Sequence, residues 1–201
     1  MGYRDVYAGW QANPEGFWME AAKQIDWVTP PSKALNDSRA PLYEWFTDAT
    51  VNTCYNAVDR HVLAGRGDQV AIIHDSPVTR TKHSITYREL QTRVASLAGA
   101  LRAKGVAKGD RVIIYMPMVP EALEAMLACA RLGAIHSVVF GGFAAAELAV
   151  RIDDCTPKAI IAASCGIEPS RVVHYKPLLD AAIDMATHKP DFCVILQREQ
   201  E

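Results

Sequence analysis

Beyond residue 110, short apolar runs alternate with segments of helical length, and this pattern constrains the fold more than any other feature of the chain. The predicted strands are 111–116, 134–140, 158–163 and 192–196, and the predicted helices are 120–132, 144–154 and 177–188. Continuous apolar strands separated by helices are typical of a parallel sheet covered on both faces, because right-handed crossovers place helices over each face. We therefore predict a doubly wound α/β fold.

The first third of the chain has a different composition, rich in Trp, Asn and Pro. One helix is predicted there, with Asn13 as N-cap and Pro14 at its first position, and a second is predicted over 52–63. We expect a mostly helical extension over residues 1–64 and a larger domain over 65–201. The larger domain should open with a hairpin (70–73 with 84–87) and a helix that starts at a Thr86–Glu89 capping box.

Composition excludes several classes of function. The chain has 21 Lys and Arg against 23 Asp and Glu, a net charge of -2, which leaves no broad basic field for nucleic acid or an anionic membrane. No apolar run approaches the ~20 residues that span a bilayer, and residues 1–6 show no signal-peptide pattern, so we expect a soluble, cytoplasmic protein. The five cysteines include no CxxC pair, so no zinc site is indicated.

In a sheet of this kind, ligands bind beyond the carboxyl ends of the strands. The loop after the second predicted strand is Phe140-Gly141-Gly142-Phe143. Two adjacent glycines either let a ligand approach the main chain or form a tight turn with positive φ, and the residues alone leave both interpretations open. The loop lacks the GxGxxG spacing of a dinucleotide site.

The loop predicted after residue 163 ends in a single cation, Arg171. A guanidinium suits phosphate because its donors form a fixed fork, although a solvated or carboxylate-paired surface Arg is the more frequent case, since most Arg residues are exposed. The histidines and carboxylates show no spacing typical of a catalytic triad, an acid–base pair or a metal site, so we assign no catalytic or metal-binding residue.

The run GDRVIIYMPMVPEALEAMLACARLGAIHSVVFGGF, residues 109–143, closely resembles the corresponding stretch of acetyl- and propionyl-CoA synthetases, the short-chain AMP-forming acyl-CoA synthetases. FWMEAAKQIDW (17–27), NTCYNAVDRHV (52–62) and TYREL (86–90) match the family in the same order. SCGIEPSR (164–171) and YKPLLDAAI (175–183) resemble the propionyl-CoA synthetase branch. Acetyl-CoA synthetases commonly carry an Arg pair in this loop, whereas here Glu168 precedes Arg171.

The resemblance implies an N-terminal fragment with the adenylate-forming fold. It implies that Gly141 and Gly142 receive the nucleotide end of coenzyme A and that Arg171 binds its phosphate. The full-length protein would join propionate to ATP, with Mg²⁺, and pass the acyl group to CoA. The ATP, acid and Mg²⁺ sites would lie in the remainder of the polypeptide, beyond residue 201, so the fragment should be inactive alone. Its last strand, 192–196, should leave a sheet edge and an apolar face uncovered.

Three alternatives remain open: a fragment of an acetyl-CoA synthetase, a standalone nucleotide- or CoA-binding module without catalysis, and a nicotinamide oxidoreductase. A truncated synthetase predicts a reading frame that continues past residue 201 into a Ser/Thr/Gly-rich loop, and a standalone module predicts a stop codon there. An oxidoreductase predicts NAD binding, which the Phe140–Phe143 loop does not favour.

Overall fold

The computed structural model describes residues 2–200, which fall into two compact units, one ending at Asn52 and the other beginning at Thr53. The first unit contains helices α1 (Tyr3–Ala12) and α2 (Pro14–Ala22) and a short antiparallel pair, β1 (Leu35–Asn36) with β2 (Glu44–Trp45). Only Ala22 and Ala34 are fully buried among its described residues. This unit therefore has little core of its own.

Helix α2 begins as predicted, because the Asn13 side chain accepts a hydrogen bond from the Gly16 N–H at 2.9 Å. Helix α1 was missed. Its signal is aromatic spacing along one helical face, where Tyr3 stacks on Tyr7 and Tyr7 lies against Trp10, with ring centroids 6.0 Å and 5.5 Å apart.

The second unit opens with a helical segment over 53–66 that contains two π-helical stretches, Tyr55–Asp59 and Val62–Arg66. The predicted domain boundary at 64 and 65 falls at the end of this segment. An antiparallel hairpin follows, β3 (Val70–Ser76) with β4 (Thr81–Thr86), longer than predicted. Helix α3 (Tyr87–Ala103) then starts at the predicted capping box, in which the Thr86 N–H donates to Glu89 at 2.7 Å.

The central sheet is parallel, with strand order β10-β7-β5-β6. Its strands are β5 (Arg111–Met116), β6 (Ile135–Phe140), β7 (Ala159–Ala163) and β10 (Phe192–Leu196), and its helices are α4 (Pro120–Leu132), α5 (Ala145–Cys155) and α6 (Tyr175–Met185). The step from β5 to β6 and the step from β6 to β7 run in opposite directions across the sheet. Right-handed crossovers therefore put α4 and α5 on opposite faces, which confirms the doubly wound fold. Helix α3 packs on α4, and α5 packs on α6.

The central strands of the sheet are more buried than the edge strand β6. All five residues of β7 and the last five of β5 are buried, whereas the edge strand β6 exposes large apolar side chains, including 71% of Phe140. Strand β10 forms the other edge, as predicted. Within residues 2–200, no helix is long and apolar enough to cross a membrane.

The predicted loop over 164–171 was wrong. Strand β7 leads into an antiparallel hairpin, β8 (Cys165–Glu168) with β9 (Arg171–His174), closed by a two-residue turn. The next helix starts at Tyr175 instead of residue 177, with Pro177 inside its first turn. A proline is tolerated there because the first N–H groups of a helix have no carbonyl partner within it.

Candidate ligand cleft at the carboxyl edge of the sheet

A cleft of about 690 Å³ lies at the carboxyl ends of β5 and β6. The β3–β4 hairpin, the start of α4, the β8 strand and the start of α6 complete its walls. Most of its lining is apolar. Residues that line it include Ile73, Met118, Phe140, Ile167, Tyr175 and Arg198. An apolar cleft with a few polar groups is typical of a small-molecule site.

Three helices begin at this edge of the sheet, and none has a side-chain cap. The residues preceding α4, α5 and α6 are Val119, Ala144 and His174, and no side chain of these accepts a hydrogen bond from the first turn. Helices α2 and α3, which begin elsewhere, are capped by Asn13 and Thr86. At α6 the Tyr175 and Lys176 N–H groups donate to the Ser164 carbonyl and Pro177 has no N–H, so the first-turn groups that can meet an anion belong to α4 and α5.

The glycine loop is a tight turn. The Phe143 N–H points to the Phe140 carbonyl at 3.4 Å, and Gly142 has φ +93° at the third position, which a type II turn reserves for glycine. At Gly141 a Cβ would lie 2.5 Å from Tyr175 Oη and 2.8 Å from the Met116 carbonyl oxygen. The turn conformation and the packing of Tyr175 therefore explain why both positions are glycine. Contact of either glycine with a ligand stays a prediction.

Arg171 lies at the tip of the β8–β9 hairpin, opposite Glu168 in the strand register. Its Nε donates to Glu168 Oε2 at 2.8 Å, and this hydrogen bond raises the pKa of Arg171. The Arg171 side chain is 69% exposed and does not line the cleft, whereas Glu168 and Gly141 do. The structure therefore brings Gly141 and Glu168 to one cleft and places Arg171 beside it.

Two buried tyrosines that were not predicted from the sequence pack beside this cleft. Tyr115 on β5 donates from Oη to the Phe143 carbonyl at 3.0 Å, and its ring centroid lies 5.1 Å from that of Tyr175. Burial raises the pKa of both phenols. A tyrosine inside an otherwise aliphatic strand, Val-Ile-Ile-Tyr, was the available signal for Tyr115.

Arg198 lines the cleft, unlike Arg171, and the sequence did not predict it. Its Nη1 donates to the Cys165 carbonyl at 3.1 Å, and its N–H donates to Ser164 Oγ at 3.0 Å. These bonds fasten the chain after β10 to the start of the β8–β9 hairpin. The described part of the chain holds no group of three or more His, Cys, Asp or Glu side chains that could bind a metal ion, so we derive no metal-dependent step from these residues.

Comparison with known proteins identifies two family models along the chain. The acetyl-coenzyme A synthetase N-terminus model matches residues 3–57, and the AMP-binding enzyme model matches residues 59–200.

Similar proteins match almost the whole chain. An uncharacterized protein of Pseudomonas aeruginosa is 54% identical over all of this chain and 32% of its own length. Acyl-CoA synthetase short-chain family member 3, mitochondrial, of Bos taurus is 53% identical over 98% of this chain and 29% of its own length. An acetyl-coenzyme A synthetase of Xanthobacter autotrophicus is 49% identical, with 98% and 30% covered. This chain thus spans about a third or less of each relative, and it belongs to the AMP-binding enzyme family, among the short-chain acyl-CoA and acetyl-CoA synthetases.

Proposed function

We propose that this chain is the N-terminal part of an AMP-forming propionate–CoA ligase and supplies one wall of its CoA site. A carboxylate resists attack by a thiol because its charge is delocalised and its leaving group is poor. The proposed enzyme first joins propionate to ATP, giving propionyl-AMP and pyrophosphate, and the CoA thiol then displaces AMP. Mg²⁺ would neutralise phosphate charge in the first step, at residues outside this chain.

The observation that carries the proposal is the apolar cleft at the carboxyl edge of the sheet, with the uncapped start of α4 in its lining. The nucleotide end of CoA combines phosphates with a flat base, and such an edge offers backbone N–H groups for the first and apolar surface for the second. Gly141 and Gly142 would let the main chain meet this end of CoA. Arg171 would contact a phosphate from the hairpin tip.

Two observations support different acids. The 164–171 and 175–183 segments resemble the propionyl-CoA synthetase branch, which favours propionate. Relatives named acetyl-coenzyme A synthetase are 47–49% identical to this chain, which makes acetate the second candidate. The test is ATP–pyrophosphate exchange by the full-length protein with each acid. A higher kcat/KM with propionate supports the proposal, and a higher value with acetate makes the protein an acetyl-CoA synthetase.

The same assay separates the synthetase from the non-catalytic alternative. A synthetase exchanges pyrophosphate into ATP only when an acid is present and releases AMP when CoA is added. If the full-length protein binds CoA without acid-dependent exchange, it is a CoA-binding module and the ligase proposal is wrong. NAD binding without exchange would favour an oxidoreductase.

The proposed partners are small molecules (propionate, ATP and CoA) together with the remainder of the polypeptide, and no nucleic acid or membrane. We also propose a cytoplasmic location. Several relatives carry the word mitochondrial in their names, so the relevant experiment is imaging of the tagged full-length protein. Signal confined to an organelle would overturn this part of the proposal.

A further inference from the structure

Tyr175 lies where β5, the end of β7, β8 and the loop after β6 meet. It is the first residue of α6, and its N–H donates to the Ser164 carbonyl just after β7 at 2.8 Å. Its ring lies against Tyr115 of β5, with centroids 5.1 Å apart. Only 5% of Tyr175 is exposed, and it lines the cleft.

The Tyr175 hydroxyl stands between two glycines from different loops. A Cβ on Gly166 of β8 would lie 2.4 Å from Oη and 2.6 Å from Cζ, and a Cβ on Gly141 would lie 2.5 Å from Oη. Since real Cβ atoms do not come this close, any larger residue at either position would displace the phenol. The two glycines therefore make room for this hydroxyl.

No residue between 2 and 200 forms a hydrogen bond with the Tyr175 hydroxyl, although the side chain is buried. The neighbouring phenol differs, because Tyr115 Oη donates to the Phe143 carbonyl. The hydroxyl oxygen is not among the fully enclosed side-chain atoms that lack a partner, so it opens onto the cleft that Tyr175 lines, where a ligand can pair it. A phenylalanine would fill the same space without leaving a donor unsatisfied.

We propose that the Tyr175 hydroxyl is a ligand-binding group of this cleft, which donates a hydrogen bond to an oxygen on the nucleotide end of CoA. This inference rests on the proposed function, since it takes CoA as the occupant. The acceptor is a phosphate oxygen, and CoA offers two sources, the 3′-phosphate and the diphosphate. The hydroxyl of a buried, protonated phenol is a donor, which suits such an acceptor.

The experiment compares Tyr175→Phe with the wild type in the full-length synthetase. We expect KM for CoA to rise about tenfold, the usual effect of losing one hydrogen bond to a charged acceptor. ATP–pyrophosphate exchange, which needs no CoA, should be unchanged. The thermal midpoint should not fall, because the variant removes a donor that no described residue pairs.

Dephospho-CoA, which lacks the 3′-phosphate, identifies the acceptor. If the variant loses affinity for CoA but not for dephospho-CoA, the hydroxyl binds the 3′-phosphate. An equal loss with both ligands assigns it to the diphosphate, and either result supports the proposal. Unchanged affinity for both ligands would overturn it.

Tyr87→Phe is the matched control, because Tyr87 is also the first residue of a helix and lies outside the cleft. It should change neither CoA affinity nor exchange. An equal fall of exchange and CoA-dependent turnover in Tyr175→Phe would show a general structural role and overturn the proposal. Calorimetric binding of CoA to the same proteins measures the hydrogen bond without turnover, so it tests Tyr175 even if the ligase activity is absent.

Discussion

At the residue scale, Arg171 is the side chain whose role is most directly open to experiment. In the full-length enzyme, Arg171→Ala should raise KM for CoA roughly ten- to a hundredfold, since a charge-assisted contact to phosphate contributes about 1.5–3 kcal/mol. Acid-dependent ATP–pyrophosphate exchange should be unaffected. The control is Arg88→Ala, which removes an exposed guanidinium paired with Asp68. Loss of exchange in parallel with CoA turnover would leave Arg171 as a surface ion pair only.

Glu168 provides a separate test of how Arg171 is held. Its carboxylate accepts from the Nε of Arg171, which leaves the two terminal nitrogens of the guanidinium for a phosphate. We therefore expect Glu168 to orient Arg171, so that Glu168→Arg weakens CoA binding. Steady-state CoA dependence measures this. Tighter binding by the variant would mean instead that Glu168 repels the phosphate.

The site residues were predictable from sequence only in part. Gly142 had a turn signal that the structure bears out, because its φ of +93° suits glycine alone. Tyr175 and Arg198 had no local signal, since their importance arises from contacts with Gly141, Gly166 and Ser164, far away in the sequence. Residue spacing along the sequence does not reveal long-range packing of this kind.

At the element scale, one carboxylate joins three helical segments. Asp59 accepts from Gln91 of α3 at 2.8 Å and from Arg131 of α4 at 2.9 Å and 2.7 Å. Asp59→Ala should lower the free energy of unfolding by about 2–3 kcal/mol, because it leaves a largely buried guanidinium without its carboxylate. Urea unfolding measures the loss. Asp68→Ala, at a 95% exposed carboxylate, should cost under about 0.5 kcal/mol, and equal losses would contradict the argument.

Asp153 links the end of α5 to the loop before β10 and makes a pH-dependent contribution. Its carboxylate accepts the His188 N–H at 2.8 Å, and the backbone hydrogen bonds from His188 and Thr187 lower its pKa. A folded pKa below the unfolded value of about 3.9 gives stability that is present above that pH and lost as pH falls through the folded pKa. Asp153→Asn should therefore lower the thermal midpoint at pH 7, and the difference from wild type should shrink below about pH 4.

The adjacent Asp154→Asn serves as control, because the Asp154 side chain forms no hydrogen bond within residues 2–200. Its thermal midpoint should follow that of the wild type across the same pH range. A difference for Asp153→Asn that stays constant down to pH 3 would show that the contribution does not come from ionisation.

Helix and strand bounds were predicted well where the local sequence signals favour the same structure as the tertiary packing. The bounds of β5 and α4 were predicted without error, because an apolar strand and a Pro-started helix with a Gly133 cap leave little choice. The β8–β9 hairpin was missed because its strands have four residues each and its turn is Pro-Ser, without the Asn-Gly or Asp-Gly pair that marks most tight hairpins. Strand order also had to come from the structure, since periodicity does not say which strand lies at an edge.

At the scale of the whole molecule, the exposed edge strand β6 has a consequence in solution. Ile135 and Val138 are 57% and 51% exposed on an unpaired sheet edge, and such surfaces associate. Residues 1–201 expressed alone should therefore form concentration-dependent oligomers in sedimentation velocity. Ile135→Lys with Val138→Lys should reduce the association. A monodisperse monomer for the unsubstituted chain at high concentration would show that this edge does not drive association.

The β8–β9 hairpin also bears on how such an enzyme changes over time. It is inserted between β7 and α6, and its tip residues, Glu168 and Arg171, are largely exposed and make no contribution to the buried core. Loops outside a core accept substitution at little cost in stability. The charge at this tip can therefore change while the sheet stays intact, so the proposed contact with CoA can evolve without a loss of foldability.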